Sequence, residues 1–190
     1  MKESRDEQRI QDAMNCDNPI VSDESRNVRP KSLSEFKSLL GQYCNVPENI
    51  MNGIYNYAYL NKPTESVPCI KAKSVMKQLN SLNDASFKYY DSYEDYEQNI
   101  DNDQTTYSMI FHEHEDDPYN EHFEASIYHG PDNIEYYSSL GNKPELSPEF
   151  IESHEIKYSN IQHQSTAKNA NGCFWYCLLY LCSDSNILPC

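Results

Sequence analysis

Cys173 follows Gly172 and opens the run CFWYCLLYL (residues 173–181), the most apolar stretch of a chain that is otherwise acidic and polar. A cysteine in the first turn of a helix meets unpaired backbone N–H groups and the positive end of the helix dipole. Both favour the thiolate, the form that acts as a nucleophile. Cys177, one turn further in among Trp175, Tyr176, Leu178 and Leu179, reads instead as a buried neutral thiol. Attack on a carbonyl also asks for an imidazole to carry the proton, donors for the developing oxyanion and a group that orients the ring. Of the six histidines, His122 stands at the head of the β-rich run FEASIYH (residues 123–129).

A second chemistry uses other residues. His112 and His114, spaced i, i+2 on an extended segment, together with Cys173 and Cys177 at i, i+4 on a helix, could close a tetrahedral zinc site. No CxxC pair is present, however, and HEHEDD (residues 112–117) reads as a solvated acidic loop, so no metal is expected. Gly-rich phosphate loops, the dinucleotide fingerprint and HExxH are all missing from the sequence, so no cofactor is expected either.

The elements that must position these residues follow from period and punctuation. Ser32-Leu33-Ser34-Glu35 resembles a capping box before Leu33, Phe36, Leu39 and Leu40, with Gly41 as a stop. Residues 48–59 and 69–82 predict two further helices. The stretch from Ser86 to Gln104 mixes tyrosine with acid at no clear period and reads as a solvated loop. TYSMIF (106–111), FEASIYH (123–129) and NIEYYSSL (133–140) predict three antiparallel strands, the last two joined at Gly130-Pro131-Asp132. Ser147-Pro148-Glu149 announces a short helix to Ser153, IKYSNIQ (156–162) predicts another strand, and a buried helix runs from Cys173 to Leu181. The fold class is α+β: N-terminal helices, a small, mainly antiparallel sheet and a buried helix carrying Cys173.

The bulk composition bounds the function. A chain of 190 residues with 38% hydrophobic content suits one domain, here residues 31–190, after a charged tail over Met1–Pro30 that is disordered unless a partner holds it. A formal charge of −15 opposes DNA, RNA and anionic lipid, so no nucleic acid or membrane partner is expected. No window approaches the roughly 20 apolar residues of a membrane span, and MKESRDEQRIQDAMN lacks the apolar run of a secretory signal. The chain is therefore expected to be intracellular and not secreted, with its seven cysteines as reduced thiols. Five glycines against sixteen tyrosines, with abundant asparagine, fit an AT-rich genome such as that of a virus or mobile element.

Over roughly residues 105–183, the order of these features resembles the adenain-like cysteine peptidases of viruses and large DNA transposons, which share their order with the ubiquitin-like-protein proteases. The residues that carry the resemblance are His122-Phe123-Glu124-Ala125-Ser126-Ile127, then Ile134-Glu135-Tyr136-Tyr137-Ser138-Ser139-Leu140-Gly141, then Cys173-Phe174-Trp175-Tyr176-Cys177. It implies His122 as general base, Gln162 as the oxyanion-hole side chain and Cys173 as nucleophile, with Ser138 in the place of the acid. Serine carries no negative charge to stabilise an imidazolium, although its hydroxyl can orient the ring. Phe174 stands where the family has glycine. Gln162 lies eleven residues before Cys173 and Gln164 nine, both a longer gap than the family has.

The resemblance implies an adenain-like cysteine protease fold and a thiol protease that cleaves structural precursor proteins, in the host cell and in the virion. Its partners would be protein substrates or capsid proteins. The alternative is a catalytically impaired protein of the same fold that serves as a structural or capsid-associated component. Ser138 and Phe174 favour that alternative, while His122, Cys173 and their contexts favour the enzyme.

Overall fold

The computed structural model describes residues 30–60, 67–100, 104–113, 121–158 and 172–183. The N-terminal tail, Gln162, Gln164, His114 and the second half of the strand expected over 156–162 lie outside these residues. Six α-helices and five strands are present among those described: α1 (Leu33–Leu40), α2 (Glu48–Ile54), α3 (Cys69–Leu82), β1 (Ser86–Tyr90), α4 (Tyr93–Asn99), β2 (Thr106–Glu113), β3 (Glu121–Tyr128), β4 (Ile134–Tyr137), α5 (Pro148–Ser153), β5 (Ile156–Tyr158) and α6 (Cys173–Cys182).

The helix starts obey the local chemistry of their sequences. Ser32 Oγ accepts from the Glu35 N–H at 3.2 Å, while the Glu35 carboxylate reaches back to the Lys31 N–H at 2.6 Å, one residue beyond the usual capping box. Ala72, Val75, Met76 and Leu79 form the buried stripe of α3 at helical spacing. Ser147 caps α5 through the Phe150 N–H, and its own N–H and hydroxyl both donate to Glu97 at 2.6 Å. Helix α2 runs on into a π-helical turn over Tyr55–Tyr59.

The sheet order is β1-β2-β3-β4-β5. The α+β class and the three antiparallel strands agree with the sequence, but the sheet as a whole is mixed. β2–β3 and β3–β4 are antiparallel, whereas β1–β2 and β4–β5 are parallel. Both parallel partners arrive through a helix, α4 between β1 and β2 and α5 between β4 and β5, which is the connection a parallel pair requires.

The stretch expected as a solvated loop is therefore structured, as β1 and α4. Its tyrosines explain the difference. Ser92 Oγ caps α4 by accepting from the Asp95 N–H at 3.0 Å, and Tyr90 and Tyr96 meet edge to face at 5.3 Å as buried side chains. A tyrosine ring supplies as much apolar surface as a core residue while its hydroxyl finds a polar partner. Glu94, Asp95 and Glu97 belong to a short helix rather than a loop.

Two apolar clusters lie on opposite faces of the sheet. The larger joins α1, α2, α3 and α6 to Met109, Phe111, Phe123, Ala125, Ile127 and Tyr137. The smaller gathers Tyr90, Tyr96, Ile100, Ile110, Tyr128, Ile134, Leu146 and Phe150. Every residue of α6 is buried, as expected of a helix that is apolar all round and enclosed between sheet and helices. Helix α2 approaches α6 at Gly53, where an added Cβ would fall 2.2 Å from a ring carbon of Trp175.

Candidate active site

Strand β3 sends alternate side chains to the two clusters. Phe123, Ala125 and Ile127 face α6. On the other face, Glu124 and Ser126 meet α4: the Tyr93 hydroxyl bonds the Glu124 carboxylate, and the Tyr96 hydroxyl lies 2.7 Å from Ser126 Oγ. His122 shares this face. Its Nε2 lies 3.2 Å from Ser138 Oγ, and both residues are buried. Ser138 follows directly on the last β3–β4 pair, Ala125 with Tyr137. A turn fixes it there, in which the Gly141 N–H donates to the Ser138 carbonyl at 2.9 Å. Gly141 has φ 69°, a conformation that glycine adopts without the steric cost of a side chain.

Cys173 is the first residue of α6 and is 4% exposed. Burial pushes its thiol up to about 11, against the opposing pull of the backbone N–H groups of Phe123, Phe174 and Cys173 itself. Desolvation thus outweighs the helix start, and the resting thiol is neutral. Cys177 Sγ donates to the Phe123 carbonyl at 3.2 Å and is pushed well above its usual range by burial. Both sulfurs therefore meet the backbone of Phe123, the residue that follows His122. Phe174 is fully buried and packs edge to face on the Phe123 ring at 5.5 Å.

Of the four residues the sequence singles out, His122 and Ser138 are in direct contact. Cys173 reaches the same strand one residue along, at the backbone of Phe123. Gln162 lies outside the described residues. The alternative zinc set is divided by the sheet. His112 stacks against Tyr93 on the α4 face with ring centroids 4.8 Å apart, while Cys177 sits on the α6 face. Among the described residues, no three His, Cys, Asp or Glu side chains are arranged to hold a metal ion.

Glu124 is the functional candidate that the motif reading passed over. It is 1% exposed, with Oε1 3.8 Å from His122 Nε2 and Oε2 4.0 Å from His112 Nε2. Burial pushes its carboxyl up to about 7, while hydrogen bonds from Tyr136, Tyr93 and Ser138 act in the opposite direction. Tyr93 and Tyr136 join at 2.6 Å through their hydroxyls, and both phenols are raised far above their usual range, first by burial and then by the charge of Glu124. The signal was present in the sequence: on a strand, i and i+2 share a face, so His122 places Glu124 beside it.

Together these residues make a neutral thiol, an anchored imidazole and a buried carboxylate converging on the first residues of β3. Comparison of the chain with protein-family models, with curated proteins and with solved structures finds no match. Among the described residues, no helix is long and apolar enough to cross a membrane.

Proposed function

We propose that this chain is a thiol peptidase of the adenain-like type, cleaving structural precursor proteins of a virus or mobile element. The observation that carries the reading is the 3.2 Å contact between His122 Nε2 and Ser138 Oγ. It joins two residues that the resemblance pairs as base and orienting group. The Nε2 contact with Ser138 holds the ring in one orientation.

Because Cys173 rests as a neutral thiol, loss of its proton to His122 accompanies attack of Sγ on the peptide carbonyl, rather than preceding it as a stable ion pair. The imidazolium then returns that proton to the leaving amine. Water, deprotonated by the same imidazole, releases the acyl group from sulfur. The test is the rate of Cys173 alkylation by iodoacetamide, followed by peptide mass spectrometry between pH 5 and 9. Replacing His122 with Ala is expected to slow the reaction about tenfold or more at neutral pH. An unchanged rate overturns the reading.

One observation favours a second reading, in which the protein keeps this fold as a structural or capsid-associated component. Phe174, next to Cys173 in the chain, is fully buried, and the thiol itself is only 4% exposed. Under that reading, alkylation of Cys173 is slow, flat with pH and indifferent to His122.

A further inference from the structure

We propose that Glu124 is the anionic partner of His122, supplying from β3 itself the negative charge that Ser138 cannot carry, while the Ser138 hydroxyl orients the ring. The inference rests on the peptidase reading for its consequence, but the pairing itself is tested separately from it.

The geometry is specific. His122 Nε2 lies 3.2 Å from Ser138 Oγ and 3.8 Å from Glu124 Oε1. The Ser138 hydroxyl also favours the ionised form of the Glu124 carboxyl. A hydroxyl in that place serves the imidazole as donor or acceptor, since it carries both a donor and acceptor lone pairs. The serine thus orients the ring while the charge sits one position further away. When His122 takes the Cys173 proton, the positive ring has the ionised Glu124 carboxylate 3.8 Å from its Nε2. No proton moves onto Glu124, so the step balances as a transfer from Sγ to the imidazole alone.

The surroundings hold the carboxylate in place. The Tyr93 hydroxyl bonds one of its oxygens, and Tyr93 and Tyr136 are linked at 2.6 Å. His112, paired with His122 in register across β2 and β3, brings its Nε2 to 4.0 Å from Oε2. Glu145 acts on the carboxylate at longer range, and the carboxylate in turn acts on Cys173 and Cys177. The Tyr93 hydroxyl serves Oε2, whereas Oε1 is buried with no hydrogen-bond partner among the described residues and has His122 Nε2 as its neighbour at 3.8 Å. A buried charge needs an opposite charge to pair with, which marks the carboxylate as a counter-ion. Glu124 is on this account a positioning residue, since it acts through His122.

The test compares the parent with Glu124→Gln and with the double variant Glu124→Gln, Ser138→Asp, which moves the charge to the residue that touches His122 Nε2. The first readout is the His122 imidazole titration by NMR. A lost carboxylate lowers the midpoint, so Glu124→Gln is expected to bring it down by about one pH unit or more and the double variant to restore it. The second is Cys173 alkylation by iodoacetamide, expected to slow about tenfold in Glu124→Gln at pH 7 and to recover in the double variant. A His122 midpoint unchanged by Glu124→Gln overturns the pairing. A shifted midpoint with Cys173 labelling that ignores every variant upholds the pairing and overturns the peptidase reading. Should Glu124→Gln fail to fold, Glu124→Asp draws the charge back from the imidazole by one methylene, and a His122 midpoint left where the parent has it overturns the proposal.

Discussion

His112 and His122 face each other as a cross-strand pair of β2 and β3, and each turns its Nε2 toward a different oxygen of Glu124, at 4.0 and 3.8 Å. A single buried carboxylate thus answers to two imidazoles, and its protonation state bears on both.

The first consequence is a pH dependence of stability. The Glu124 carboxyl is raised from its usual 4.5 to about 7 in the folded chain. Between these values the folded state holds a proton that the unfolded state has released. The stabilisation is therefore complete below about 4.5 and is lost as pH rises through about 7, a span worth about 3 kcal/mol. Urea unfolding at intervals from pH 4.5 to 8 measures it. Self-repulsion of the acidic chain adds a slope of the same sign, so the diagnostic quantity is the parent minus Glu124→Gln. That difference is expected to fall with rising pH, and a flat difference contradicts the assignment.

A second prediction concerns how closely α2 lies on α6. An added Cβ at Gly53 would fall 2.2 Å from one Trp175 ring carbon and 2.4 Å from another. The ring cannot swing away freely, because Tyr57 stacks on it at 5.1 Å and Lys71 Nζ lies 5.7 Å from its centroid. Gly53→Ala is expected to cost about 2–3 kcal/mol in urea unfolding. Adding Trp175→Leu to that variant should recover part of the loss relative to the sum of the two single changes, since the clash disappears with the ring.

The contrast between α6 and α4 shows what the sequence could and could not convey. Helix α6 was legible because Gly172 precedes an unbroken apolar run, which has no soluble alternative to burial. The antiparallel β2–β3–β4 unit was legible from three short β-rich runs and one turn. Helix α4 and β1 were not, because their apolar surface resides in tyrosines interleaved with Glu94, Asp95 and Glu97, a pattern in which local hydropathy hides the buried rings. The mixed character of the sheet was hidden by the same misreading, since β1 is one of its parallel strands. At the site, motif order brought His122 and Ser138 to notice, yet Glu124 escaped. It lies in neither the nucleophile position nor the acid position of the family pattern and becomes visible only through the strand's alternation.

A third prediction tests the join between α5 and α4. Ser147 caps α5 and also donates twice to Glu97 at 2.6 Å, once from its N–H and once from its hydroxyl. Ser147→Ala removes the cap and one of the two bonds to the carboxylate, leaving the backbone bond in place. The expected loss is about 1–2 kcal/mol in urea unfolding. In a Glu97→Gln background the same substitution should cost less, because a bond to a neutral amide is weaker than one to a carboxylate.

The last prediction concerns Phe174, which stands where the resemblance expects glycine and packs fully buried on Phe123. Two effects of Phe174→Gly must be separated. Loss of a buried ring, compounded by glycine inside a helix, is expected to cost about 4–5 kcal/mol of stability. The emptied space lies against Phe123, whose backbone meets Cys173, so the thiol should become accessible and regain hydration, which lowers its pKa from about 11. Alkylation by iodoacetamide is therefore expected to quicken about tenfold or more at pH 8. Global unfolding would also expose the thiol, and Cys177 supplies the internal control. It is fully buried one turn along the same helix, bonded to the Phe123 carbonyl at 3.2 Å. Faster labelling of Cys173 with Cys177 still protected shows a local opening at the helix start. Equal labelling of both thiols shows that the helix has left the sheet, and it would refute the idea that Phe174 alone seals the site.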